Sequence, residues 1–354
     1  MTYDLELAGV GKTYPDGTPA VIDFDLRAAK GEFISFVGPS GCGKTTTLRM
    51  IAGFEDISAG DILVRGRRIN DLPPERRPTS TIFQNFALFP HMTVRQNIEY
   101  GLRVKGLPAA ERRAKADRMM QVLDLTNIAD RRSAGLSGGQ RQRTALARGL
   151  VVEPDILLLD EPLGALDANL RERMMIELKR IQAQLGGTFL HVTGNEQEAL
   201  AMGHRTAVLD RGRIAEISPP QTLYNRPGSV RVARFLNCYN IFEGTIGDGA
   251  FRFAEAALPL PGDAPAGTAA YCIRADKVTV AEETDPAAPG EAALPGRFIA
   301  SEYSGARVTY LFDVAGSRPV EVEYHLSHRR PESFDAGRRY ALRWPAADAL
   351  VFRG

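Results

Sequence analysis

The stretch Gly38-Pro39-Ser40-Gly41-Cys42-Gly43-Lys44-Thr45 matches G-x-x-x-x-G-K-[ST] without a mismatch. Before it, Glu32 to Val37 is a short apolar, β-branched and aromatic run that reads as a buried strand. After it, Lys44 to Ala52 reads as a helix ended by Gly53. A glycine-rich turn between a strand and a helix N-terminus makes a phosphate cradle. Loop N–H groups point inward there, and the helix dipole favours negative charge. Lys44 would reach the β- and γ-phosphates, and the Thr45 hydroxyl, followed by Thr46, would ligate Mg²⁺. Glycine-rich turns also occur without ligands; the strand and helix around this one predict a nucleoside triphosphate site.

Four further stretches carry polar groups at informative places. Ile156 to Leu159 is continuously apolar and ends in Asp160-Glu161-Pro162. Such a strand belongs in a parallel sheet, where ligands sit at the C-terminal edge. Leu136-Ser137-Gly138-Gly139-Gln140 opens a helix expected to run to about Val152, with Ser137 as N-cap. Its two glycines let another backbone approach closely, which makes a second possible anion site. Thr81 to Gln84 is strand-like and ends in a glutamine, and Tyr14 precedes a Pro15-Asp16-Gly17 turn. A ring beside such a turn can stack on adenine or simply close a strand end.

The elements that must position these groups follow from the patterning. Residues 1–37 alternate polar and apolar and read as antiparallel strands. Ala59 to Asn70 reads as a hairpin with turns at Gly60-Asp61 and Arg65-Gly66, closed by Pro73 and Pro74. Helices are expected over Val94–Val104, Pro108–Leu125 and 169–185, and a strand over Thr188–Thr193. Past Pro219-Pro220 the runs shorten and glycine and proline become frequent, which indicates a small all-β domain with its boundary near residue 236.

With 354 residues, 44% hydrophobic and 25% charged, the chain has room for two ordinary globular domains. A net charge of +1 gives no global field toward nucleic acid or anionic lipid. The clusters Arg65 to Arg68 and Arg76-Arg77 are short and are expected on the solvated surface. Cys42, Cys238 and Cys272 are scattered without metal spacing, which, with no signal peptide, fits a reducing cytosol. No apolar run approaches the ~18 residues a spanning helix needs, so a membrane role must come through partners.

In order, the phosphate loop, Gln84, the Leu136–Gln140 signature, Leu-Asp160-Glu161 and Leu163-Gly-Ala-Leu-Asp167 resemble the ATP-binding-cassette ATPases over roughly residues 3–235. The resemblance implies an α/β P-loop NTPase fold: a RecA-like core, an antiparallel β subdomain, and a helical subdomain about 86–155. It implies ATP and Mg²⁺ as ligands. Asp160 would hold the metal through water, Glu161 would act as general base, and Gln84 would sense metal and γ-phosphate and couple to a membrane partner. Lys44 and Tyr14 take the phosphate and adenine roles, and Asp167 lies on a loop that crosses a dimer interface. In this family the signature helix of one subunit caps the nucleotide of the other. Ser137, Gly138, Gly139 and Gln140 would therefore serve a partner's ATP, and the working unit is a dimer.

One place departs from the family. Where Val-Thr-His-Asp is usual, this chain reads Val192-Thr193-Gly194-Asn195-Glu196-Gln197-Glu198. Glycine at the switch-histidine position cannot donate to a γ-phosphate, and losing one such donor typically costs on the order of 10²–10³ in rate. Three accounts stay open. Asn195 or water fills the role in a slower homodimer; the chain pairs with a different ATPase; or it is a nearly silent ATP-binding subunit. His191, three residues upstream on a strand, faces the other side.

Residues 236–354 resemble the OB-like domain attached to importer cassettes, with matching stretches at Asn240-Ile-Phe-Glu-Gly244, Ile273–Val278 and Trp344. That resemblance implies import of the polyamine, ferric-iron or phosphonate kind, with sugar import as the rival. It also implies two integral-membrane permease subunits, an extracytoplasmic solute-binding protein, and a place on the cytoplasmic face of the membrane. Nucleic acid is not an expected partner, since the tail lacks a basic, aromatic-studded face.

Overall fold

A computed structural model describes residues 3–164, 166–262, 267–315 and 317–353. The chain divides after Leu223 into two compact units. This is earlier than the boundary read from sequence, because the short helix preceding residue 236 packs on strands of the second unit.

The first unit opens with β1 (Leu5–Thr13) and β2 (Pro19–Ala28), then β3 (Phe33–Val37), α1 (Lys44–Ala52), β4 (Ala59–Val64) and β5 (Arg67–Arg68). Next come β6 (Thr79–Ile82), α2 (Val94–Val104), α3 (Ala109–Val122), α4 (Gly138–Leu150), β7 (Ile156–Asp160) and α5 (Ala168–Leu185). It continues through β8 (Thr188–Thr193), α6 (Glu196–Met202), β9 (Arg205–Asp210) and β10 (Arg213–Ser218), and α7 (Pro220–Asn225) reaches the division.

Strands of order β10-β9-β3-β8-β7-β6 form the central sheet, parallel except for β10 at its edge. Its inner strands are continuously apolar, as double-sided burial requires: every residue of β3 and β8 is buried. One face packs with α1 against the antiparallel sheet β2-β1-β4-β5, through Leu48, Ile51, Phe24 and Phe36. The other face carries α2 to α5, through Ile98, Met120, Leu146 and Leu178. Helix α1 thus lies between two sheets, and its N-terminus is the phosphate loop.

Two expectations are corrected here. Gly60-Asp61 is not a turn but part of β4; Gly60 has φ 79°, and a Cβ there would lie 2.3 Å from the Gly9 carbonyl oxygen, where β1 and β4 shift register. Arg77 is not on the solvated surface but buried. Its Nε donates to the Leu72 carbonyl (2.8 Å), Nη1 to those of Met50 (2.6 Å) and Ile51 (3.1 Å), and Nη2 to that of Asn70 (2.9 Å). The last carbonyls of α1 carry the negative end of its dipole, so a planar five-donor cation satisfies them without a carboxylate.

The second unit starts with α8 (Val230–Phe235) and is otherwise strands and single turns among the described residues. One antiparallel sheet has β11 (Tyr239–Gly247) between β12 (Ala250–Phe253), flanked by β13 (Ala256–Pro259), and β14 (Gly267–Arg274), which also pairs with the terminal Leu350–Arg353 strand. The other contains β15 (Thr279–Glu282), β16 (Glu291–Tyr303), β17 (Arg307–Asp313), β18 (Val320–His325) and β19 (Arg339–Pro345). Their shared core holds Trp344, Phe242, Tyr271 and Phe312, and the indole N–H of Trp344 donates to Tyr271 Oη at 3.0 Å. A buried indole needs such a partner. No helix among the described residues is long and apolar enough to cross a membrane.

Candidate nucleotide site

The sheet register decides what can meet. Val37 pairs with Thr193, Val192 with Asp160, and Leu159 with Ile82. All four strands run the same way, so Gly38, Gly194, Asp160-Glu161 and the segment leading to Gln84 leave the sheet at one edge. Residues scattered over the chain are brought together by this alignment.

At that edge the phosphate loop is tightly cramped. A Cβ on Gly38 would lie 2.2 Å from the Leu209 carbonyl oxygen, and one on Gly43 would lie 2.6 Å from that of Ala20. Both need to be glycine for the loop to close onto its neighbours. Thr47 Oγ1 donates to the Gly43 carbonyl at 2.9 Å and steadies the first turn of α1. Lys44 is folded back into the loop, its Nζ donating to the carbonyls of Gly38 (2.7 Å) and Pro39 (3.0 Å), with Cys42 Sγ at 3.8 Å. Burial pushes the Cys42 thiol up, outweighing the Lys44 charge. Among the described residues Lys44 has no carboxylate partner, so a buried cation with only neutral neighbours faces the loop. That arrangement fits an anionic ligand.

The metal-type oxygens converge as well. Thr45 Oγ1 donates to Asp160 Oδ1 at 3.3 Å. Burial holds the Asp160 carboxyl above its usual range, and the neighbouring Glu161 adds to this. A hydroxyl and a carboxylate so placed are the hard oxygen donors that Mg²⁺ takes. Glu161 has φ 47°, an uncommon conformation for a side-chain-bearing residue, and its N–H is held by the Val192 carbonyl at 3.0 Å. A Cβ on Gly164 would fall 3.2 Å from Gln84 Nε2 and 3.9 Å from Glu161 Oε2, so the exposed Gln84 amide and the Glu161 carboxylate flank one glycine.

Tyr14 Oη lies 3.5 Å from Thr46 Oγ1, which puts its ring beside the first turn of α1, and Lys12 Nζ sits 5.3 Å from the ring centroid. Pro39, Ser40 and Gly41 form the open side of the loop, where Ser40 is exposed and a Cβ on Gly41 would meet nothing. Ser137 and Gln140 do not join this group. They form a reciprocal cap on α4, Ser137 N donating to Gln140 Oε1 (3.0 Å) and Gln140 N to Ser137 Oγ (3.3 Å). Gly138 and Gly139 back onto Leu170 of α5, whose N-cap is Asp167. Nothing within the chain forbids a Cβ at either glycine, since the contacts would be ordinary ones of 3.5–3.8 Å.

At the switch position a Cβ on Gly194 would meet nothing within 4 Å. Asn195 does not stand free beside it: its Oδ1 caps α6 by accepting from Glu198 N at 3.0 Å. His191 is wholly buried against Ser35 and Phe33, and burial pushes its pKa down to about 3. Its position excludes contact with a phosphate at the sheet edge. His204 accepts the Phe33 N–H through Nδ1 at 2.9 Å. Sequence reasoning missed Arg171 and Glu198, which meet behind Glu161; Asn195-x-x-Glu198 signals a helix start but says nothing of where the carboxylate turns.

Comparison with known proteins gives the family of both parts of the chain. The ABC transporter family profile matches residues 21–164 and the TOBE domain profile residues 271–352. A spermidine/putrescine import ATP-binding protein of Rubrobacter xylanophilus is 39% identical over 99% of this chain and 94% of its own length. Another of the same name, from Oleidesulfovibrio alaskensis, is 49% identical over 69% of this chain, which spans 65% of that protein. Among solved structures, a dimeric ATP-binding cassette in a post-hydrolysis state with ADP and Pi is 32% identical, covering 61% of this chain and 98% of that one with a TM-score of 0.54.

Proposed function

This chain belongs to the ATP-binding proteins of the ABC transporter family, and we propose that it binds and hydrolyses ATP to drive import of a solute of the polyamine class. The observation that carries this reading is the Thr45–Asp160 contact, which joins the phosphate loop to the carboxylate-bearing strand at one sheet edge. Lys44 swings from its loop carbonyls onto the β- and γ-phosphates, and Tyr14 stacks on the adenine. Thr45 and Asp160, with Gln84, hold Mg²⁺, which draws charge from the phosphates when bound. Glu161, beside Asp160 at the mouth, takes the proton of the attacking water. The bare faces of Gly138 and Gly139, with Ser137 and Gln140, cap the ATP of a second ATPase subunit, and Asp167 lines the same interface.

Two permease subunits and an extracytoplasmic solute-binding protein complete the transporter, with this chain on the cytoplasmic face. The groove lined by His91, Met92, Gln96, Glu99, Tyr100 and Arg103 lies along the segment that follows Gln84 and suits a permease element. The polyamine reading rests on the names of the relatives. It is tested by reconstituting the chain with its permease and binding protein in vesicles. ATP turnover stimulated by spermidine or putrescine supports it, and indifference to both excludes it.

A second reading concerns rate. The side-chain Oδ1 of Asn195 is engaged in capping α6, and Gly194 has no side chain, which favours a slow site on this chain's own phosphate loop. A second, different ATPase chain would supply the faster site, capped by the intact signature here.

A further inference from the structure

Behind the mouth of the site lies a buried carboxylate that the proposed hydrolysis does not use. Glu198, at 3% exposure, leaves α6 and points inward. Its Oε2 accepts from Thr193 Oγ1 at 2.7 Å, and the same hydroxyl accepts from Asn195 N at 3.0 Å. Its Oε1 faces Arg171 Nε at 3.3 Å, and Arg171 Nη2 donates to the Leu166 carbonyl at 2.9 Å. A continuous polar path therefore runs from the loop after Glu161, through Arg171, Glu198 and Thr193, to the backbone of the switch segment.

The path is not fully satisfied as it stands. Arg171 Nε and His191 Nε2 are buried without a hydrogen bond, and both lie against Glu198, His191 Nε2 at 4.0 Å from Oε2. Arg171 Nε is therefore held to Glu198 by charge rather than by a well-aligned hydrogen bond, and in a buried cluster such a joint is sensitive to small shifts of either partner. Both ends of the path adjoin segments that the proposed reaction uses. Leu166 adjoins Asp167 at the dimer interface, and Thr193 and Asn195 bracket Gly194. Glu161 itself is near enough for its charge to act on Glu198.

We propose that Arg171 and Glu198 are positioning residues that link the Leu166 backbone, next to Asp167, to the Gly194–Asn195 backbone, so that closure of the dimer interface sets the switch segment in a chain that lacks a switch histidine. The inference rests on the ATPase reading above for its effect on turnover, but the link itself is a property of the chain without nucleotide. Breaking either residue removes one joint of a single path, so the two should behave as a unit rather than independently.

The test has two arms. In the first, hydrogen exchange is followed over residues 192–197 in the full chain, comparing wild type with Arg171→Met. The expected result is exchange at the Asn195 amide about tenfold faster, although Arg171 does not touch that peptide. Unchanged exchange there overturns the link whether or not the protein hydrolyses ATP. In the second, kcat and KM for ATP are measured for Arg171→Met, Glu198→Gln and the double variant, with thermal melting to exclude misfolding. The expected result is kcat down roughly tenfold in each single variant, KM within about twofold, and the double variant no worse than either single. A double variant whose loss is the product of the two, or a rise in KM with kcat intact, overturns the positioning role. Faster exchange with no turnover either in wild type or in a Gly194→His background would leave the link standing and sink the ATPase reading instead.

Discussion

Thr45 Oγ1 and Asp160 Oδ1 stand 3.3 Å apart although 115 residues separate them in sequence. One lies in the first turn of the helix that follows the phosphate loop, and the other closes a strand of the central sheet. Replacing Asp160 by Asn keeps the shape but removes the charge. The expected outcome is loss of the Mg²⁺-dependent part of ATP affinity and at least about a 10²-fold fall in turnover, with metal-free nucleotide binding retained. Nucleotide titrations with and without Mg²⁺ check this; equal metal enhancement in the variant would remove Asp160 from the metal site.

Gly194 has open space around it and no left-handed backbone, so Gly194→His should fold as wild type does. If the missing donor limits this chain, the histidine raises turnover, by up to the 10²–10³ that one transition-state donor is worth, as an order of magnitude. Steady-state assays decide it. A brisk wild type unimproved by histidine would mean that water or Asn195 already does the work.

Much of this was legible from residue order alone. The phosphate loop, the carboxylate strand and α4 announce themselves through apolar runs interrupted by glycine and acid, because buried parallel strands leave so few alternatives. Arg77 was not legible. A pair of arginines beside two prolines looks like solvated surface, and only the end of α1 arriving from 26 residues away turns Arg77 into a buried clamp. Glu198 was hidden for the same reason: a glutamate in the first turn of a helix reads as a cap, and its inward turn depends on Thr193 and Arg171 packing behind it. The glycines of the signature meet no close contact inside the chain that would require them.

Arg77→Ala should leave four carbonyl oxygens without their Arg77 donor, those of Met50 and Ile51 at the end of α1 and those of Asn70 and Leu72 beyond β5. The expected cost is roughly 2–4 kcal/mol of stability, read as a lower urea midpoint at an unchanged slope. Arg77→Lys should recover little of it, since one ammonium cannot span carbonyls that a planar fork reaches together. Full recovery by lysine would show that charge alone matters.

His191 is held neutral by burial, with its pKa near 3, despite the Glu198 carboxylate 4.0 Å from Nε2. An unfolded histidine titrates near 6.5, so between these values the unfolded chain binds the extra proton. Stability is therefore full above about pH 6.5 and falls as pH drops, by roughly 1 kcal/mol per pH unit in that window. The raised Glu198 carboxyl works in the opposite sense, since its protonation favours the folded state as pH falls toward 4.5. Urea melts of wild type and His191→Phe between about pH 6.5 and pH 5 should show the slope in the first and its loss in the second. Equal slopes would place the acid sensitivity elsewhere.

The most direct test of the nucleotide site is ATP hydrolysis by wild type and Glu161→Gln, purified and assayed side by side with Mg²⁺, each also carrying Gly194→His. Glu161 adjoins Asp160 at the mouth, and the account makes it the group that takes the proton of the attacking water. It predicts that Glu161→Gln abolishes turnover in both backgrounds while ATP still binds and holds the dimer closed. Turnover that survives Glu161→Gln unchanged would contradict it.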